Sequence, residues 1–355
     1  MELSTKKCRY KLPIDIPNLK YLDLDEPIIL ESGKRLSNLT IAYHTFGELN
    51  KERDNVIWVF HALTANSDVS DWWSGLYGTG RLFDPEKYFI VCANILGSCY
   101  GTTGPRSINP STGKAYGMDF PMITIRDCVH VHDRLKSYLE IDEIYLAIGG
   151  SCGGHQAQEM AYQYPTKIRH LGLVVTSARE TSWAISIHEA GRMALENDVT
   201  FYENNDKAGA QGLRTARGIG LLGYRTVDAY IKTQTDTDER TDDFKASSYV
   251  RYQGAKLERR FYAHCYWFLL KALDTHHIGR GRGGIEQALS TITTPTLVMS
   301  ISTDMLIPPT QQKILAQHLP NATYVEIPSR YGHDGFLIET DAMEDAFLSW
   351  LENKK

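Results

Sequence analysis

The sequence predicts an α/β fold: a mostly parallel sheet interrupted by a helical insertion. Two observations carry this. Short apolar runs of strand length alternate with helix-length segments, and the runs are apolar on both faces, as parallel strands covered by helices require. The rhythm then stops between Ser182 and Gly284 and resumes at Thr294-Pro295.

The elements follow in order. NVIWVF at 55–60 and YFIVC at 88–92 read as buried strands. A helical pattern fills 123–139, and IYLAI at 144–148 ends against Gly149. A second helix is expected over 154–164, followed by the strand LGLVV at 171–175. The middle stretch holds long helical patterns, among them the aromatic run FYAHCYWFLL at 261–270, and an acidic polar segment at 233–243. The strand pattern returns in TLVMSI at 296–301 and TYVEI at 323–327. The chain therefore divides into a core of 1–181 and 285–355 and an inserted unit of 182–284. No internal repeat is present.

Composition excludes several classes. At 355 residues the chain is long enough to bury a core without staples. With 42% hydrophobic and 23% charged residues it is neither disordered nor collagen-like. A net charge of −5 argues against nucleic acid as the main partner, since phosphate binding needs a cationic footprint. No window of about 18 apolar residues exists, so no membrane span is expected. No apolar leader core precedes Pro13, which makes the cytoplasm the expected compartment. Cys8, Cys92, Cys99, Cys128, Cys152 and Cys265 form no CxxC pair, so reduced, mostly buried thiols are expected rather than zinc ligands or disulfides.

Four weaker signals are set aside. Gly279-Arg280-Gly281-Arg282-Gly283-Gly284 fits GxGxxG, but a helix-like stretch precedes it where a dinucleotide loop needs a strand. It reads as a connection out of the insertion. His130 and His132 lie two apart and do not share a helix face, so no metal site is expected there. The acidic segment 235–243 lacks the glycine and closing Glu of a calcium loop and reads as a solvated face. The aromatics at 262–268 read as core or interface packing.

One constellation carries chemistry. Gly149-Gly150-Ser151-Cys152-Gly153 is a GxSxG placed between a strand and a helix. A nucleophile there sits on a strained turn, its flanking glycines having no side chain to clash as the backbone reverses. The helix N-terminus places a positive dipole beneath it. In folds built this way the order is nucleophile, acid, His. Asp304 follows the strand at 296–301 and His333 follows the strand at 323–327, where that order requires them. The backbone N–H groups of Cys152 and of Leu63, in the loop after Phe60, are the expected oxyanion donors. The shifted register Gly150-Ser151-Cys152-Gly153-Gly154 also fits, with Cys152 as nucleophile, and spacing does not choose between them.

Longer motifs extend the pattern: Gly47-Glu48-Leu49-Asn50, His61-Ala62-Leu63-Thr64, and the stretch from Asn94-Ile95-Leu96-Gly97 through Thr103-Gly104-Pro105. Further on come Ala216-Arg217 with Tyr224-Arg225, Ser302-Thr303-Asp304 with Pro308-Pro309, and Gly332-His333-Asp334-Gly335-Phe336. With these the sequence resembles the homoserine O-acetyltransferase family, acyltransferases of methionine biosynthesis with an α/β-hydrolase fold. The resemblance runs from about Ala42 almost to the C-terminus. It implies Ser151 as nucleophile with Asp304 and His333, a helical lid at 182–284, and a homodimer built through that lid. It implies Arg217 and Tyr224 at the carboxylate of the substrate and Asp334 at its amino group.

The implied substrates are acetyl-CoA and L-homoserine, with no further cofactor. Relatives that use succinyl-CoA tend to carry an Arg two residues after the catalytic Asp; this chain has Leu306 there. A serine esterase of the same fold, or a relative using serine or succinyl-CoA, would carry the same triad. The chain departs from the family in having Tyr262, His264 and Cys265 where Asp, Asn and Ser are usual, and His155 in place of a common Met.

Overall fold

A computed structural model describes residues 10–354. Eight strands form one sheet: β1 (Lys20–Leu24), β2 (Leu39–Phe46), β3 (Val56–Phe60), β4 (Phe89–Ala93), β5 (Ile144–Gly150), β6 (Ile168–Val174), β7 (Thr296–Ile301) and β8 (Ala322–Ile327). Across the sheet the order is β1-β2-β4-β3-β5-β6-β7-β8. β2 runs against both of its neighbours. β3 to β8 are mutually parallel. This is the α/β-hydrolase arrangement, with the sheet mostly parallel as expected.

The longer helices are α1 (Ile125–Tyr138), α2 (Cys152–Gln163), α3 (Ser182–Glu196), α4 (Ala210–Tyr224), α5 (Val227–Gln234), α6 (Lys245–Glu258), α7 (Ala263–Asp274), α8 (Ile285–Ser290), α9 (Pro309–His318) and α10 (Thr340–Glu352). α3 to α7 lie between β6 and β7. Along β3 alternate side chains serve two cores. Val56, Trp58 and Phe60 point to the side that also takes residues of α1, α2 and α7, while Ile57 and Val59 meet Phe347 and Trp350 of α10. The start of α1 is fixed by a reciprocal cap between Thr124 and Asp127.

Two strands of this sheet were not anticipated. β2 carries buried polar residues that break any apolar run: Thr40, whose amide donates to Thr103 Oγ1 at 2.8 Å, and His44, held by Ser67 Oγ and the Pro17 carbonyl. β1 pairs only with β2, at the sheet edge. α2 begins two residues before the sequence pattern suggests, because the turn after β5 feeds straight into it.

The segment 279–284 is a turn after α7 rather than a phosphate loop. A Cβ on Gly279 would meet the Gly284 backbone at 2.2 Å, so its glycine serves a close chain approach. His132 is buried and bonded to Gln156 while His130 is exposed, and no group of three or more potential ligands gathers among the described residues. Cys92, Cys99, Cys128, Cys152 and Cys265 are free and buried. Cys8 and the residues before it lie outside the described residues. Among the described residues no helix is long and apolar enough to cross a membrane.

The aromatic run on α7 takes the first of its two expected readings, core packing. Cys265, Tyr266, Phe268, Leu269 and Leu270 are all buried within this chain. The ring of Phe268 packs edge-on against Phe120, 5.4 Å between centroids. The insertion shares the core of the sheet, so this helix gives no argument for a partner.

Candidate active site

The turn after β5 holds Ser151 at φ 56, ψ −121, a strained conformation for a non-glycine residue. Neighbouring glycines make the turn possible. A Cβ on Gly149 would lie 2.2 Å from the Gly153 carbonyl oxygen, and one on Gly153 would lie 2.0 Å from that of Phe60. The backbone of Ser151 is pinned on both sides: its amide donates to the Val174 carbonyl at 2.9 Å, and its carbonyl accepts from Thr176 Oγ1 at 3.1 Å. Serine at a helix N-cap ordinarily turns its oxygen onto the helix amides. Here it makes no such bond, and Oγ stands 2.8 Å from His333 Nε2 instead.

His333 Nδ1 lies 2.7 Å from Asp304 Oδ2. The other Asp304 oxygen accepts the amides of Leu306 and Ile307 at 2.9 and 3.0 Å, which fixes the carboxylate. Burial alone would lower the pKa of His333. The carboxylates of Asp304, Asp334 and Glu180 outweigh it and hold the imidazole above its ordinary value. The three residues taken from chain order thus form one hydrogen-bonded line.

The register question resolves in the same geometry. Cys152 is buried with its sulfur 3.9 Å from Gln156 Nε2 and makes no hydrogen bond to His333. Burial, with the negative field of Glu180, pushes its thiol up to about 12. A neutral thiol without a base is a poor nucleophile. The amides of Cys152 and Leu63 donate to no protein acceptor among the described residues, as donors kept for an oxyanion would be.

Ser151 and His333 open into a pocket of about 90 Å³. Its wall includes Leu63, Glu180, Arg217, Tyr224, Leu306 and Asp334. The Arg217 guanidinium lies 5.4 Å from the centre of the Tyr224 ring and has no ion pair among the described residues. Asp334 reaches the pocket, but its Oδ2 is taken by Arg225 Nε at 2.9 Å. Leu306 presents an apolar side chain to the same pocket.

A family profile of the α/β hydrolase fold matches residues 55–340. A homoserine O-acetyltransferase of Cyclobacterium marinum is 46% identical over 92% of this chain and 94% of its own length. The chain belongs to the homoserine O-acetyltransferase family. The crystal structure of homoserine O-acetyltransferase from Bacillus anthracis superposes with a TM-score of 0.88 at 24% identity, covering 95% of this chain and 98% of that one. That of esterase E22 superposes at 0.85 with 23% identity, covering 94% and 99%. These two likenesses speak for the fold alone.

In this homoserine O-acetyltransferase family chain, several residues around the site have roles that the sequence did not assign. His61 accepts the Ile95 amide at its Nε2, 2.9 Å, and donates from Nδ1 to the Ala62 carbonyl at 2.8 Å, which sets the loop bearing Leu63. Burial brings its pKa down to about 4, so it stays neutral in that role. Arg260 clamps the same loop through the Thr64 carbonyl. His188 lines the pocket and bonds Asp274, which also holds the buried Arg192. The departures at 262–265 lie elsewhere: His264 bonds the Phe201 carbonyl, and Tyr262 donates to the Lys11 carbonyl. His155 lies beneath the site, stacked on His276 at 3.9 Å.

Proposed function

We propose that this protein transfers an acetyl group from acetyl-CoA to the hydroxyl of L-homoserine, a step of methionine biosynthesis, acting in the cytoplasm as a homodimer without a further cofactor. The observation that carries the reading is an unpaired guanidinium, Arg217, on the wall of the pocket into which the Ser151–His333–Asp304 line opens. A planar guanidinium suits the acceptor's carboxylate bidentately. Tyr224 flanks it, and Asp334 offers its second oxygen to the ammonium. Membership of this family supports the same substrates.

In the first half-reaction Ser151 Oγ attacks the thioester carbonyl while His333 Nε2 takes its proton. The amides of Leu63 and Cys152 receive the oxyanion. The C–S bond breaks, and the protonated imidazole returns its proton to the leaving CoA sulfur. In the second half-reaction the homoserine hydroxyl attacks the acyl-serine, giving its proton to His333, which passes it to Ser151 Oγ as the new ester leaves. Asp304 keeps the proton of the neutral imidazole on Nδ1 and stabilises the imidazolium. The lid at 182–284 has the task of keeping water from the acyl-enzyme.

The test offers acetyl-CoA and succinyl-CoA in turn with L-homoserine and L-serine, following CoA, free acid and acylated product. CoA release that depends on homoserine, with little free acetate, is expected. Acetate release that ignores the acceptor would make the protein an esterase. A preference for succinyl-CoA or serine would overturn the assigned donor or acceptor.

A further inference from the structure

Glu180 is a buried acid on the pocket wall that the acyl transfer does not use. It follows β6, is 4% exposed, and lines the same space as Ser151, Arg217 and His333. Its Oε1 accepts the Thr181 amide at 3.1 Å. Its Oε2 takes no hydrogen bond among the described residues and stands 3.9 Å from His155 Nδ1, itself buried without a partner. Burial drives His155 well below its ordinary value, and its stacking partner His276 to about 3. Both rings are therefore neutral and give Glu180 no counter-charge at contact distance, although His188 and His333, farther off, favour its charged form. No Lys or Arg pairs with Glu180 among the described residues.

Asp334, on the same wall, is already charge-balanced by Arg225. Among the described residues the pocket thus presents one cation without an ion pair, Arg217, and one buried acid without a Lys or Arg partner, Glu180. An isolated carboxylate in a buried site is costly, and burial accordingly holds Glu180 toward its protonated form. A ligand that is itself a zwitterion relieves both groups at once. Its ammonium carries three N–H donors, more than the one remaining oxygen of Asp334 can accept in full.

Resting on the function proposed above, we propose that Glu180 is a second receptor for the ammonium of the acceptor, beside Asp334, and selects amino-acid alcohols over simple hydroxy acids. The test compares L-homoserine with 4-hydroxybutanoate, which lacks the amino group, as acceptors from acetyl-CoA. In the wild type the ratio of kcat/KM should strongly favour homoserine. Glu180→Gln should cut that ratio by at least about tenfold, mostly through the homoserine KM, as loss of a charge-assisted hydrogen bond would. Glu180→Asp, which keeps the charge, should recover part of it.

A merely structural role would lower both acceptors together and leave the ratio where it was; an unchanged ratio in Glu180→Gln overturns the proposal. Should that variant not fold, a wild-type ratio in Glu180→Asp does so, because a carboxylate one methylene shorter cannot keep the same contact. Failure of the wild type to acetylate homoserine is a failure of the parent reading, seen before any variant is compared.

Discussion

Two adjacent residues, Ser151 and Cys152, compete for one role in the sequence, and their environments separate them. The serine oxygen reaches His333 Nε2, while the thiol rests against Gln156 and is held neutral, near 12, by burial and by Glu180. Ser151→Ala should therefore lower kcat for acetyl transfer by about three orders of magnitude or more, on the scale of nucleophile loss in triad enzymes. Cys152→Ala should stay within about tenfold of the wild type, since it keeps the backbone amide. Steady-state CoA release measures both, and the reverse order would reassign the nucleophile. The triad was legible because its order along the chain is fixed by where strands end. Glu180 and the Arg225–Asp334 pair were not, because each role depends on a partner brought close only by folding, 109 positions away in the case of Arg225.

At the scale of elements, legibility followed apolar composition rather than burial. β3, β5 and β7 lie in the interior of the sheet, are apolar on both faces, and announce themselves as unbroken runs. β2 does not, since Thr40 and His44 spend buried positions on hydrogen bonds. The aromatic helix α7 was seen as a helix, but the burial of its apolar face within one chain was not visible. Its packing makes a prediction. Phe268 is 1% exposed and meets Phe120 edge to face. Phe268→Ala should lower unfolding free energy by about 3–5 kcal/mol, the range for a large aromatic removed from a filled core. Denaturant titration of the variant at two protein concentrations checks it. A loss below about 1 kcal/mol, or one that appears only on dilution, would place this helix at an interface between copies instead.

For the whole molecule, the question α7 leaves open is what the insertion does with its outer surface. Its large apolar side chains do not all turn inward. Leu222 at the end of α4 is 63% exposed, and Val227 and Ile231 on α5 are 65% and 61% exposed. Leu222 borders a groove between α4 and α6, about 450 Å³, lined also by Ile219 and Val250. Single exposed apolar residues are ordinary, but an exposed leucine at the rim of a groove lined by further apolar side chains marks a contact surface. Each such side chain contributes roughly 1.5–3 kcal/mol when fully covered. A two-fold pairing would present the same patch on both copies, so one substitution would strike the interface twice. Light scattering at micromolar concentration should therefore give about twice 40.1 kDa for the wild type. Leu222→Asp should shift it toward the monomer while leaving the helical circular dichroism signal in place, because the side chain is exposed and supports no core. A wild type that stays monomeric at that concentration, or a Leu222→Asp variant that stays dimeric, would move the contact away from this face.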